Sequence, residues 1–497
     1  MEVTNSNEKR ENIKNLILII FLFLLTIPGL QGRYKFINET RLNGAYKQEE
    51  KPSFKSFSHE SWLNGSFQEQ YNTRLEQNIG FRSALIRVYN QLTFSLFGKG
   101  NAEGVVVGKG NILYEDDYIK EYLGLYYVGD SIWTKKAIKL KAVQDTLDRL
   151  GKKLIVVFEP DKASLYPELF PQNYQLVEKK LSNYDKLLQE VTASGVNVLN
   201  LNQYFIDIKD ETEYPIFAQC GTHWSYYGAT LAADTTLRYL ESLLNTDLTD
   251  MKIVQNKVPD IPRHPDYDIG LAMNLLFMIS HPKTADPILE FIDKGNNKPS
   301  ALVVGDSYFF NWLNNRIPER TFKDCDFWYY NKKIVRSDGS SGGLAPERNF
   351  KDEIMRRDVI MIMITGRFMH SFAWGFDEQL FDLFYPGQSN PREQFANQIR
   401  CYGDEFKRMY KESVAEHISL SDRIQREAEY LFYDDLKNNP DKYTSKNDIL
   451  LSYELAIRNT PEWLTEIKRK AKENNISVDE QIHNDAIWIY EEKYGKN

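Results

Sequence analysis

Apolar and polar positions fall into three regimes along the chain. The first is a single run, Leu16–Leu30, which reads LILIIFLFLLTIPGL without a charge and follows Lys9, Arg10 and Lys14. A basic lead before about 15 apolar residues fits a signal peptide or a short membrane anchor. Cleavage favours small residues at the exit, and Leu30-Gln31-Gly32 is a poor site, which favours an uncleaved anchor. Positive charge on the amino side keeps that end in the cytoplasm, so residues from 33 onward are expected outside the cytoplasmic membrane. Residues 33–60 are polar and aperiodic and read as a linker. From Trp62 to Phe97, apolar residues recur at helical spacing, with a break near Gly80.

In the second regime, continuous apolar runs alternate with helical stretches. GVVVGKGNILYEDDYI (Gly104–Ile119) predicts a short strand and a turn, and a helix around 133–150 ends at Gly151. KLIVVFEP (Lys153–Pro160), Val196–Leu201, SALVVGDS (Ser300–Ser307) and DVIMIMIT (Asp358–Thr365) read as strands, with a helix over roughly 172–193. Strands that are apolar throughout, separated by helices, predict a parallel sheet covered on both faces, a three-layer α/β/α arrangement. The third regime begins near 392, where polar helices carry apolar stripes and no strand pattern appears. The expected organisation is an anchor or signal over 1–32, a linker and helical lead-in over 33–104, an α/β domain over 105–385 and a charged helical region over 386–497.

The chain has 497 residues, 42% of them hydrophobic and 27% charged, which is a globular composition. Its 62 Lys+Arg against 70 Asp+Glu give a net charge of −8. That balance argues against nucleic acid as a partner, which needs a basic face. Three distant cysteines, Cys220, Cys325 and Cys401, exclude a disulfide framework and a four-Cys zinc site. The histidines show no metal-ligand spacing, and neither metal nor cofactor is expected.

In open parallel sheets, ligands bind beyond the carboxyl ends of the strands. Gly305-Asp306-Ser307 stands at such an end. A serine on a sharp strand-to-helix turn exposes its hydroxyl near backbone N–H groups that can stabilise an oxyanion. Serine needs a base, and His223 in CGTHWSYYGA (Cys220–Ala229) is the candidate. Lys162 at the end of its strand, Arg367 after the strand ending at Thr365, and Trp224 are candidate substrate contacts.

Four segments together resemble a known family. VVVGKGNILYEDDYIKEYLG (Val105–Gly124), IVVFEPDKASLYPELFP (Ile155–Pro171), THWSYYGA (Thr222–Ala229) and VVGDSYFFNW (Val303–Trp312) are similar, in that order, to motifs of the AlgJ/AlgX-like alginate O-acetyltransferase family, whose domain is SGNH-hydrolase-like. The resemblance covers about residues 60–375. It implies an extracytoplasmic O-acetyltransferase that passes acetyl through a serine ester to hydroxyls of an exported or cell-surface polysaccharide. A membrane-bound O-acyltransferase would supply the acetyl group. It also implies Ser307 as nucleophile and His223 as base. Asp306 would shape the turn, and the Ser307 N–H would contribute to the oxyanion hole.

One departure stands out. The family's Asp-x-His places a carboxylate two residues before the histidine, and here that residue is Gly221. Losing a triad acid costs about 10⁴ in turnover. Three readings stand: an acid from elsewhere (with Asp324 and Asp326 as guesses), a Ser-His dyad, or a vestigial site in a polysaccharide-binding or assembly protein. A polysaccharide acetylesterase would use the same residues.

Overall fold

A computed structural model describes residues 2–44, 57–293, 298–388, 390–439, 442–443 and 445–495. Part of the expected linker, 45–56, lies outside the described residues. The apolar run forms one helix, Glu2–Tyr34, whose segment Arg10–Tyr34 is long and apolar enough to cross a membrane; its apolar side chains from Leu16 to Leu25 are exposed, while Gln31 near its end is buried. The lead-in forms short helices, among them Ser66–Asn78 and Arg82–Phe97, separated at Gly80.

The strands are β1 (Val105–Val107), β2 (Leu113–Glu115), β3 (Lys153–Phe158), β4 (Val198–Asn200), β5 (Asp250–Lys257), β6 (Asp286–Ile292), β7 (Ser300–Gly305), β8 (Asp324–Tyr329), β9 (Lys333–Arg336), β10 (Ser341–Leu344) and β11 (Val359–Ile364). Seven of them make the central sheet, in the order β10-β9-β8-β7-β11-β3-β4. It is parallel from β8 to β4, while β9 and β10 add an antiparallel edge. β1–β2 and β5–β6 are separate hairpins. The four expected sheet strands are present, and β8 to β10 extend the sheet beyond them. The helix expected over 172–193 is broken into Gln172–Gln175 and Asn183–Ala193, the second opened by a capping box in which Ser182 and Asp185 satisfy each other's backbone N–H groups.

Why the runs are apolar throughout is visible in their alternation. Leu154, Val156 and Phe158 of β3, Leu302 and Val304 of β7, and Ile360, Ile362 and Ile364 of β11 enter one core. Ile155 and Val157, Ala301 and Val303, and Val359, Met361 and Met363 enter the other. Successive side chains point to opposite faces, and both faces are covered, so the positions inside these strands are apolar and polar residues stand only at their starts, Lys153 and Ser300. Each large apolar side chain so buried stabilises the fold by about 1.5–3 kcal/mol. The first core also takes in Phe406, Met409, Ile424 and Ala428 from the helices Gly403–Glu416 and Leu420–Asn438. The sequence boundary drawn at 385/386 therefore falls between elements that share one cluster.

At the amino end of the sheet, Asp324 and Asp326 of β8 meet the guanidinium groups of Arg356 and Arg357. Asp324 lies 2.8 Å from Arg356 and 2.7 Å from Arg357, and Asp326 contacts both. Arg357 is fully buried, so removing it takes one of the two guanidinium partners from Asp326 and leaves Arg356 as the other. Arg357→Ala is expected to destabilise the protein by about 1.5–3 kcal/mol, read as a lowered denaturation midpoint with an unchanged slope.

Candidate functional site

β7 ends at Gly305, and the chain turns through Asp306 and Ser307 into the helix Phe309–Asn314. Asp306 is buried and fixes this turn. Its Oδ1 accepts the Tyr308 N–H at 3.0 Å, and its Oδ2 accepts the Thr365 N–H at 3.2 Å and hydroxyl at 2.7 Å, which ties the end of β7 to the end of β11. Burial raises its pKa against those hydrogen bonds. Behind it, Glu159 is pushed well above the carboxylate range, by burial first and then by the Asp306 charge.

His223 lies on the segment before the helix Tyr226–Leu244, which Ser225 caps by accepting the Gly228 N–H at 3.0 Å. Four hydrogen bonds join this segment to the Ser307 helix. Trp224 Nε1 donates to the Tyr308 carbonyl at 3.1 Å, and Asn311 Nδ2 to the Trp224 carbonyl at 3.1 Å. The Tyr308 hydroxyl donates to the Thr222 carbonyl at 2.8 Å, and Trp312 Nε1 to the Ala229 carbonyl at 2.9 Å. His223 Nε2 thereby comes 2.8 Å from Ser307 Oγ. Both side chains are partly exposed, so a reactant can reach them.

The third group is Asp268, which no motif in the sequence announces. Its Oδ2 stands 3.3 Å from His223 Nδ1. Its Oδ1 accepts the N–H groups of Thr222 at 2.8 Å and Ile269 at 2.7 Å. Burial alone would raise its pKa; the imidazole and the two amides outweigh burial and hold the carboxyl below its ordinary range. Asp268 opens the short helix Asp268–Ala272, reached through the chain at 265–266. A Cβ at Gly221 would lie 2.8 Å from the Pro265 carbonyl oxygen and 2.9 Å from that of Asp266. The segment that delivers Asp268 occupies the room a side chain at 221 would need. Asp324 and Asp326, the guessed acids, sit among arginines at the start of β8, whose first residue pairs with Ser300 rather than with the Ser307 end.

The three candidate substrate contacts take different places. Lys162 is buried, not solvated: its Nζ donates to the carbonyls of Leu113 at 2.8 Å, Gln219 at 3.2 Å and Gly221, and burial lowers its pKa to about 8. It braces the loop before His223. Trp224 is wholly buried and stacked against Trp312 with ring centroids 6.0 Å apart, so its ring cannot meet a ligand. Arg367 is partly exposed. Its Nη1 donates to Glu115 at 2.6 Å, and its guanidinium lies over the rings of Tyr118 and Phe368. The three cysteines are free, and burial raises Cys220 to about 11. Among the described residues, no three His, Cys, Asp or Glu side chains gather as metal ligands.

A hydroxyl bonded to an imidazole whose far nitrogen faces a carboxylate is an arrangement in which the ring can take the hydroxyl proton and carry the resulting charge. A strand-to-helix turn holding such a serine, in a mostly parallel α/β sheet, defines an SGNH-hydrolase-like protein. Residues 105–272 match the family model described as the SGNH hydrolase-like domain of the acetyltransferase AlgX, so this stretch is similar to that domain. A probable alginate O-acetylase AlgJ of Pseudomonas syringae pv. tomato is 23% identical over 272 residues, 55% of this chain and 64% of that protein. The Pseudomonas aeruginosa protein of the same description is 28% identical over 182 residues, 37% of this chain and 44% of that one. The chain thus spans less than two thirds of the length of either relative. The solved O-acetyltransferase domain of Pseudomonas putida AlgJ is similar at 18% identity with a TM-score of 0.38, covering 56% of this chain and 99% of that one.

Two outcomes follow. Asp268→Asn is expected to lower acetyl transfer from an activated ester by about 10⁴, and Gly221→Asp to lower it too, because the new side chain displaces the segment carrying Asp268. Initial rates on the two variants check this.

The second concerns pH. Burial raises Asp266 to about 7 and Glu121 to about 8, so the native state holds protons that the unfolded chain releases near pH 4. Their contribution to stability is complete below that value and is lost as pH rises through 7 and 8. Between about pH 6.5 and 8 the thermal midpoint should fall, less steeply in Glu121→Gln. His370, held neutral by burial, acts below this window, and Lys162 acts above it.

Proposed function

We propose that this chain is an extracytoplasmic O-acetyltransferase that modifies hydroxyls of an exported or cell-surface polysaccharide. The observation that carries the reading is the 2.8 Å hydrogen bond between Ser307 Oγ and His223 Nε2, with Asp268 Oδ2 3.3 Å from the opposite ring nitrogen. In the first half-reaction, Ser307 Oγ attacks the acetyl carbonyl of the donor while His223 takes the hydroxyl proton. The Asp268 carboxylate supports the imidazolium, and the Ser307 N–H helps hold the oxyanion. The tetrahedral intermediate collapses, the donor's leaving group departs with the proton from His223, and acetyl-Ser307 remains. In the second, a sugar hydroxyl gives its proton to His223 and attacks the ester. Collapse then returns the proton to Ser307 Oγ and leaves the acetyl group on the sugar.

The relatives named as alginate O-acetylases support this reaction class. The apolar helix fits a single-pass anchor that holds the site at the outer face of the cytoplasmic membrane, where a membrane-bound O-acyltransferase would deliver acetyl groups. Gly221, the aromatic content and the charged helical tail motivate the alternative of a vestigial site; the Asp268 carboxylate beside His223 supports the enzyme instead. An acetylesterase shares the first half-reaction and differs in admitting water to the second.

The test uses the full chain in detergent with p-nitrophenyl acetate. The intact mass of the wild type should gain one acetyl group, and Ser307→Ala should gain none. His223→Ala should slow the gain by about 10³-fold or more. A wild type that stays unmodified would overturn the reading.

A further inference from the structure

β8 ends in an aromatic residue and the segment after β11 carries two more; these rings lean on the two cores with one side and keep part of their surface exposed. β8 closes on Tyr329, which pairs with Gly305, and the Tyr330 N–H donates to the Gly305 carbonyl at 3.0 Å, two residues before Ser307. β11 leads through Thr365, bonded to Asp306, into a tight segment that holds Phe368 and Trp374. The rings form one continuous wall. Tyr329 stacks on Tyr330 with centroids 4.0 Å apart, Tyr330 lies 4.9 Å from Trp374 and 5.2 Å from Phe368, and Phe310 of the Ser307 helix lies 5.1 Å from Tyr329. All five are partly exposed.

Two turns that carry these rings use a left-handed backbone, one of them the tight turn that joins β8 to β9. Tyr330 and Asn331 have φ of 53° and 51°, and Ala373 and Trp374 have 52° and 50°, a left-handed conformation that side-chain-bearing residues avoid. Such strain persists where surrounding structure enforces it, and it gathers at ligand sites. Here Asn331 Nδ2 donates to the Trp374 carbonyl at 3.3 Å and locks the two turns together.

Resting on the reading above, we propose that Tyr330, Trp374 and their ring neighbours form the acceptor subsite, on which a pyranose ring of the polymer lies with its C–H face against the aromatics and a hydroxyl toward Ser307. Partly exposed aromatics offer apolar area with little side-chain entropy to lose, which suits a ligand that is apolar on its faces and polar on its rim. Arg367, beside the wall, already has its charge met by Glu115. The subsite therefore reads the ring face, and neutral and acidic sugars both bind.

The experiment uses the full chain in detergent with hexasaccharides of cellulose and of alginate. Calorimetry measures binding, acetyl transfer gives KM and kcat, and intact mass follows acetyl-Ser307 in the wild type. Trp374→Ala and Tyr330→Ala are each expected to raise Kd and KM about tenfold, and Trp374→Phe to stay close to wild type. Tyr330→Leu, apolar but not aromatic, should behave as Tyr330→Ala and replaces it if the alanine variant does not fold. A wild type that forms acetyl-Ser307 but binds neither sugar, or alanine variants with unchanged Kd, would overturn the subsite. A wild type that binds both sugars with the expected variant losses, yet never forms acetyl-Ser307, would overturn the transfer reading and leave the subsite standing.

Discussion

The site depends on a backbone-to-backbone contact at Gly221. The segment through Pro265 and Asp266 passes so close to this residue that a Cβ would meet two carbonyl oxygens within 2.9 Å. With only a hydrogen there, Asp268 comes within 3.3 Å of His223 Nδ1, and its other oxygen takes the amide of Thr222, the residue next to the glycine. A single missing side chain thus leaves the room through which Asp268 reaches the histidine. Lys162 fixes the same loop from beneath by holding the carbonyl of Gly221 itself. Its burial lowers its basicity, and the three carbonyls take the place of water around the ammonium.

Above that contact, the hydroxyl and the imidazole are positioned by large buried rings. Trp224, Tyr308 and Trp312 each make a polar bond across the gap between the histidine segment and the serine helix, and their faces fill the space between. A triad spread over three separate segments needs this kind of support, because no single element holds two of its members. Aromatic residues are 13% of the chain, and those of these contacts are buried while those of the wall beside Ser307 remain partly in contact with solvent.

The layered α/β architecture was legible because buried parallel strands leave a continuous apolar signature, and β3, β7 and β11 carry it plainly. β8 was missed although its DCDFWY is apolar in the middle, since acids at its start and tyrosines after it disguise the run; those acids pair with arginines 30 residues later in the chain. Ser307 and His223 were legible as local motifs. Asp268 was not, because its function is a matter of approach in space: its neighbours in sequence, Tyr267 and Ile269, say only that the chain turns there. Trp224 and Lys162 looked like ligand contacts because a strand end and a motif residue suggest exposure, and nothing in their spacing reveals what packs over them.

The core on one face of the sheet is completed by Ile424 and Ala428, which lie about 60 residues beyond the last strand. In a chain synthesised from its amino end, the sheet can assemble its strands while one apolar surface still lacks part of its cover. Completion of the fold is then set by the arrival of the late helices as much as by strand pairing, and in that interval the half-dressed sheet is most open to aggregation and proteolysis. The helical region closes the face that the strands leave open, and the chain's vulnerability lies in the timing of its own synthesis.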